Sequence, residues 1–144
     1  MHTLGRHLIA ELYGCSREAI DDVDVVRRAL VASAAAVGAT VVGEAFHRFA
    51  PQGVSGTLVI AESHLSVHTW PVQCYVALDI FTCGGLDPRP GVRCLADALG
   101  AKSWRVQEIL RGLPEDVEPN RELLPEDVRI VAHESPLIAR EGPE

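Results

Sequence analysis

The residues of this 144-residue chain that can do chemistry crowd into residues 54–85, VSGTLVIAESHLSVHTWPVQCYVALDIFTCGG. Ser63 sits between an acid and a histidine, Glu62-Ser63-His64, and a second histidine, His68, follows five residues on. Cys83 lies in an aromatic-Thr-Cys-Gly turn. A hydroxyl can serve as nucleophile, an imidazole as base and a thiol as acid, so the set holds the parts of a covalent or proton-transfer mechanism. Each member alone has a plainer explanation. A serine beside an acid is ordinarily solvated, a strand histidine is ordinarily a hydrogen-bonded core residue, and a free cysteine behaves as a small hydrophobe. Phe46 and Phe49 would by default be core. Their conjunction is what points to a site.

Length and composition set the frame. The chain is long enough for one domain with a real core and too short for two. With 47% hydrophobic and 23% charged residues it reads as globular. A net charge of −7 lacks the basic footprint of a nucleic-acid binder. Ser33 and Gly38 interrupt the best apolar run, which falls short of the roughly 18 residues that span a bilayer. The opening MHTLGRHLIAEL has no secretory apolar core or cleavage site, so a cytoplasmic protein without a membrane partner is expected. Cys15, Cys74, Cys83 and Cys94 show neither a CxxC pair nor zinc spacing. No metal site is expected, and Cys15, Cys74 and Cys94 read as reduced structural thiols.

Strands must position these groups. Residues 4–12 predict a first strand, closed by Tyr13-Gly14. Residues 16–38 predict one helix, with Asp21, Asp22 and Asp24 favoured by the dipole in its first turns and Gly38 just past its end. Its buried stripe would be Val23, Val26, Leu30, Ala34 and Val37. Strands are expected over 39–49, 54–61, 64–70, 75–81 and 101–110, with Pro51-Gln52-Gly53, Pro71 and Gly84-Gly85 as punctuation. A second helix spans 88–99. Residues 1–112 form one domain; residues 113–144, rich in proline and acids, form a tail with a short edge strand at 128–132. Short turns between consecutive strands favour α+β: a two-layer sandwich, one antiparallel sheet with helices on one face. The other face then needs a partner, and a homodimer covers it most simply.

The run ESHLSVHTWP followed by DIFTCG, with LGRHLIAELYGC, FHRFAPQGVSG and the helix between them, closely resembles the prokaryotic S-adenosylmethionine decarboxylase proenzymes. These are the small bacterial and archaeal class whose members make their own pyruvoyl group. The resemblance covers about residues 4–100, with several motifs in order at the expected spacings. It implies self-cleavage between Glu62 and Ser63 into a β chain, 1–62, and an α chain, 63–144. Ser63 Oγ would attack the Glu62 carbonyl to form an ester. A base would then remove the Ser63 α-proton, and elimination and hydrolysis would leave a pyruvoyl group with loss of ammonia. Ser55 of GVSG and His68 of HTWP match the processing residues, His68 as the base and Ser55 as a hydrogen-bonding partner of the oxyanion or intermediate. The pyruvoyl carbonyl would form a Schiff base with the substrate amine and take up the electron pair left by CO₂. Cys83 matches the general acid that returns a proton to carbon; a thiol of pKa about 8.5 is largely protonated at neutral pH. Phe49 matches a residue that stacks on adenine, and His68 also borders the substrate.

One position departs from the pattern. Val72 stands where the family has glutamate, whose carboxylate would hold the ribose diol by two charge-assisted hydrogen bonds. Gln73 beside it points to the opposite face if the strand continues. Some proteins resembling this family decarboxylate L-arginine or L-ornithine instead, and such a site wants an acid for the distal cation; Glu11, Glu44 and Asp79 are the candidates. The reading adopted is a self-processing, pyruvoyl-dependent decarboxylase of polyamine (spermidine) biosynthesis acting on S-adenosylmethionine, with arginine or ornithine as the alternative substrate. An uncleaved regulatory homologue is a third reading, against which Ser55, Ser63, His68 and Cys83 together speak. The resemblance implies a dimer of two-layer protomers with active sites at or near the interface.

Overall fold

Alternation of apolar and polar residues along each strand divides the sheet into a dry face and a wet one. The computed structural model describes residues 4–113 and Val117. Among them, β1 (Gly5–Tyr13), β2 (Thr40–Arg48), β3 (Val54–Ala61), β4 (Ser63–Trp70), β5 (Tyr75–Cys83) and β6 (Ser103–Arg111) build one antiparallel sheet of order β2-β3-β4-β5-β1-β6. The dry face presents Leu8 and Leu12 from β1, Leu58 from β3, Leu65 from β4 and Ile80 from β5, all fully buried. Each contributes about 1.5–3 kcal/mol by leaving water. They share a core with Val26, Leu30 and Ala34 of α2 (Val23–Val37) and Val92 and Leu95 of α3 (Arg89–Ala98). The two-layer α+β arrangement is the expected one.

The helices sit close to each other and to the sheet. Ser33 Oγ donates to the Gly91 carbonyl at 2.8 Å. A side chain at Gly91 would place its Cβ 2.8 Å from Ile80, Ser33 and Val37, so glycine is required there.

The single helix expected over 16–38 is two. A short α1 (Arg17–Ile20) precedes α2, and Asp22 caps α2 by accepting from the backbone N–H of Asp24 at 2.9 Å and of Val25 at 3.2 Å. An aspartate suited to a helix's first turn is equally suited to the N-cap just before it, and here the cap prevails. Gly38 ends α2 at φ 81°, as expected. The predicted stripe is buried at Val26, Leu30, Ala34 and Val37, and Val23 packs at its edge. The proline-rich tail and its edge strand at 128–132 lie outside the described residues. Among the described residues no helix is long and apolar enough to cross a membrane.

Candidate active site

Glu62 alone separates β3 from β4, and Ser63 opens β4 opposite Ile60 and Thr82. Ser63 has φ 96°, a conformation that side-chain-bearing residues rarely adopt and that costs about 1–3 kcal/mol. Its Oγ lies 3.2 Å from Cys83 Sγ at the end of β5. The buried Thr82 donates from Oγ1 to the Leu86 carbonyl at 3.0 Å and so holds the turn that follows Cys83. Gly5 leaves room for the Phe81 ring to lie across β1 next to this pair.

A second pair forms at the other end of β4. Ser55 and His68 face each other across β3 and β4, with Ser55 Oγ 2.8 Å from His68 Nδ1. Nε2 of His68 takes no partner among the described residues. The neighbouring Thr69 is buried; its Oγ1 donates to the Ile20 carbonyl at 2.7 Å and accepts from Val54 N–H at 2.9 Å. This ties α1 to both strands.

Phe49 stands at the mouth of a loop, 49–53, closed by its N–H on the Gly53 carbonyl at 2.8 Å. Asp21, between α1 and α2, anchors that loop: Oδ1 accepts from Gly53 N–H at 2.9 Å and Oδ2 from Arg48 at 3.1 Å. The Gly53 N–H, aided by the Arg48 guanidinium, holds the Asp21 carboxyl below the usual range. Phe49, which composition alone assigns to the core, is half-exposed and meets His47 edge to face at 4.6 Å. A cavity of about 340 Å³ opens here, walled by Phe49, Gln52, Ser55, His68, Trp70 and Gln73.

Gln73 reaches this wall because the strand does not continue. Pro71 cannot supply a ladder N–H, and Pro71–Gln73 turn as a 3₁₀ helix closed by Cys74 N–H on the Pro71 carbonyl at 3.0 Å, with Cys74 at φ 51°. Val72 is half-exposed and stands outside the wall.

Ser63–Cys83 and Ser55–His68 lie at opposite ends of β4. Ser55, His68 and Cys83 alternate with the buried residues of β3, β4 and β5 and so stand on the sheet face opposite the core, whereas Ser63, in register with the buried Ile60 and Thr82, meets Cys83 from the strand's end at φ 96°. Five residues of strand separate Ser63 from His68, about 16 Å at ~3.3 Å per residue. Within one chain His68 does not reach Ser63.

The S-adenosylmethionine decarboxylase family model matches residues 6–112. The chain belongs to that family. It is 48% identical over 114 residues to the S-adenosylmethionine decarboxylase proenzyme of Caldicellulosiruptor saccharolyticus, across 78% of this chain and 92% of that one. To the proenzyme of Carboxydothermus hydrogenoformans it is 50% identical over 114 residues, across 78% and 90%. Among solved structures it is similar to the adenosylmethionine decarboxylase of Aquifex aeolicus, with a TM-score of 0.73 at 30% identity, covering 85% of this chain and all of that one.

On this sheet the structure adds a cluster that no sequence spacing announces. Asp79 Oδ2 accepts from His7 Nε2 and His64 Nε2, each at 2.7 Å. Arg111 donates to His7 Nδ1 at 3.1 Å, so that ring carries its proton on Nε2. Burial pushes the Asp79 carboxyl up, but the two histidine hydrogen bonds outweigh it and hold the group below the usual range. The three ligand atoms lie within 4.8 Å of one another, close enough to hold a cation; the Arg111 contact instead keeps a proton on the His7 atom that would bind it.

The candidate acids for a basic substrate are otherwise engaged. Asp79 is held as above, Glu11 accepts from the Tyr75 hydroxyl, and Glu44 accepts from Arg27 Nε at 2.9 Å. Burial, opposed by Arg105, pushes the Glu11 carboxyl up. None of them lines the Phe49–His68 cavity; Glu18 and Asp21 border a neighbouring hollow that shares Gln52 and Pro71 with it.

Proposed function

We propose that this family member is a self-processing decarboxylase of S-adenosylmethionine whose working site is divided between two copies of the chain. The observation that carries this is the separation of Ser63–Cys83 from Ser55–His68 at opposite ends of β4, with Cys83, Ser55 and His68 on the face opposite the core. A two-fold that stacks two such faces with their β4 strands opposed sets Ser63 of one copy beside His68 of the other, and does so at two places.

There Ser63 Oγ attacks the Glu62 carbonyl and the acyl group moves from nitrogen to oxygen. His68 of the second copy takes the Ser63 α-proton on its unpartnered Nε2, while Ser55 holds Nδ1 and thereby the ring. Glu62 leaves as a carboxylate, and the dehydroalanine left at position 63 hydrolyses to a pyruvoyl group and ammonia. Breaking the 62–63 bond releases the strain at Ser63. The pyruvoyl carbonyl supplies the electron sink for loss of CO₂. Cys83, beside position 63, hands its thiol proton to the substrate carbon. Phe49 offers an aromatic face to adenine. S-adenosylmethionine is favoured over arginine or ornithine because no acid lines the cavity, while Glu11, Glu44 and Asp79 are each held elsewhere.

Complementation tests the divided site. Ser63→Ala and His68→Ala chains should each stay uncut alone. When co-expressed in equal amounts, about half of the His68→Ala chains should be cut, in mixed dimers that supply one intact site. An uncut mixture would refute the arrangement. Mass spectrometry of the product from S-adenosylmethionine, L-ornithine and L-arginine tests the substrate.

A further inference from the structure

We infer that Gln73 is a specificity-determining residue that holds the vicinal diol of the substrate ribose, so that the site reads the sugar through a neutral amide. This rests on the reading of S-adenosylmethionine as substrate. That molecule asks three things of its pocket: a face for adenine, partners for two adjacent hydroxyls, and access of its amine to position 63. Phe49 meets the first. For the second, the polar side chains in the cavity wall can be taken in turn. Ser55 and His68 hold each other and serve the reacting centre. The Thr69 hydroxyl is spent on the Ile20 carbonyl and Val54 N–H. Trp70 offers a donor and no acceptor. Gln52 and Gln73 remain, and Gln52 also faces the neighbouring hollow with Arg17, Glu18 and Asp21.

Gln73 combines acceptor and donor, as Gln52 does, but lines this cavity without also lining the neighbouring hollow. Its amide oxygen accepts from one hydroxyl and its NH₂ donates to the next, the pairing a cis-diol needs. The 3₁₀ turn after Pro71 aims it at the cavity, whereas Val72 stands outside the wall and carries no polar atom. Gln73 is also exposed, so its side chain is free to swing onto a ligand.

Steady-state kinetics on S-adenosylmethionine and its 2′-deoxyribose counterpart test this, with self-cleavage on a denaturing gel as the measure of folding. Gln73→Ala should raise KM for S-adenosylmethionine about tenfold and lower kcat by less than about threefold. On the deoxy substrate wild type and variant should agree within about twofold, since the diol is already broken. Gln73→Glu, which restores an acceptor at the same reach, should return KM to within about threefold of wild type. An unmoved KM, or an equal loss on both substrates, overturns the assignment while leaving S-adenosylmethionine as the substrate. Turnover of ornithine or arginine with none of S-adenosylmethionine overturns the underlying reading and the assignment with it.

Discussion

Ser63 Oγ lies 3.2 Å from Cys83 Sγ, and the contact joins the first residue of β4 to the last of β5. The two groups would serve different steps: the hydroxyl is consumed in making the pyruvoyl group, and the thiol acts afterwards. Cys83→Ala should therefore complete self-cleavage yet slow decarboxylation about 100-fold or more. A denaturing gel and CO₂ release measured on the same preparation separate the two. Equal impairment of both would make Cys83 a structural prop.

The His7–Asp79–His64 cluster predicts an acid-sensitive contribution to stability. An aspartate in the unfolded chain protonates near pH ~3.9, and in the folded protein Asp79 does so lower. Its contribution is thus fully present above about pH 4 and fades as pH falls through the folded value. Asp79→Asn should cost about 2 kcal/mol at neutral pH, by weakening two hydrogen bonds to a charged acceptor. Urea unfolding across the acid range should show the gap to wild type closing as pH falls. A gap independent of pH would rule out the carboxylate as its source.

Gly91 predicts a packing limit. A methyl group there meets Ile80, Ser33 and Val37 together at 2.8 Å and pushes on the Ser33 hydrogen bond. Gly91→Ala should lose about 2 kcal/mol by overpacking, or about 7 °C in Tm by calorimetry. An unchanged Tm would mean that α3 can slide outward at no cost.

The sequence exposes the site where β3, β4 and β5 follow one another by short turns, because neighbours along the chain are then neighbours in the sheet. Ser55 opposite His68 and Ser63 beside Cys83 are both of that kind. Their separation into two pairs is also implicit in strand spacing, once Ser63 and His68 are placed on one strand. His7 is different. β1 joins the sheet between β5 and β6, so its pairing with Asp79 depends on long-range register that no local pattern encodes. Gln73 was hidden by a local event, the 3₁₀ turn at Pro71, and Asp21 by the choice of Asp22 as the cap. In each case a side chain that suits two roles was placed by its surroundings.

Asp21 lies outside the cavity wall, yet it accepts from Gly53 N–H and from Arg48, residues on either side of the loop that carries Phe49. Gly53 has φ 101°, which glycine alone adopts readily, so the loop relies on that anchor rather than on its own preference. Freed of it, the Phe49 ring would sample orientations that no longer stack, and substrate binding would suffer more than chemistry. Asp21→Ala should raise KM about tenfold while kcat and the rate of self-cleavage move by less than about threefold. Asp21→Asn keeps an oxygen for the Gly53 N–H, the larger of the two influences on this carboxyl, and should recover most of the loss. If both variants weaken binding equally, the Arg48 ion pair is the anchor. If kcat falls as steeply as KM rises, the loop positions the reacting groups as well as the adenine.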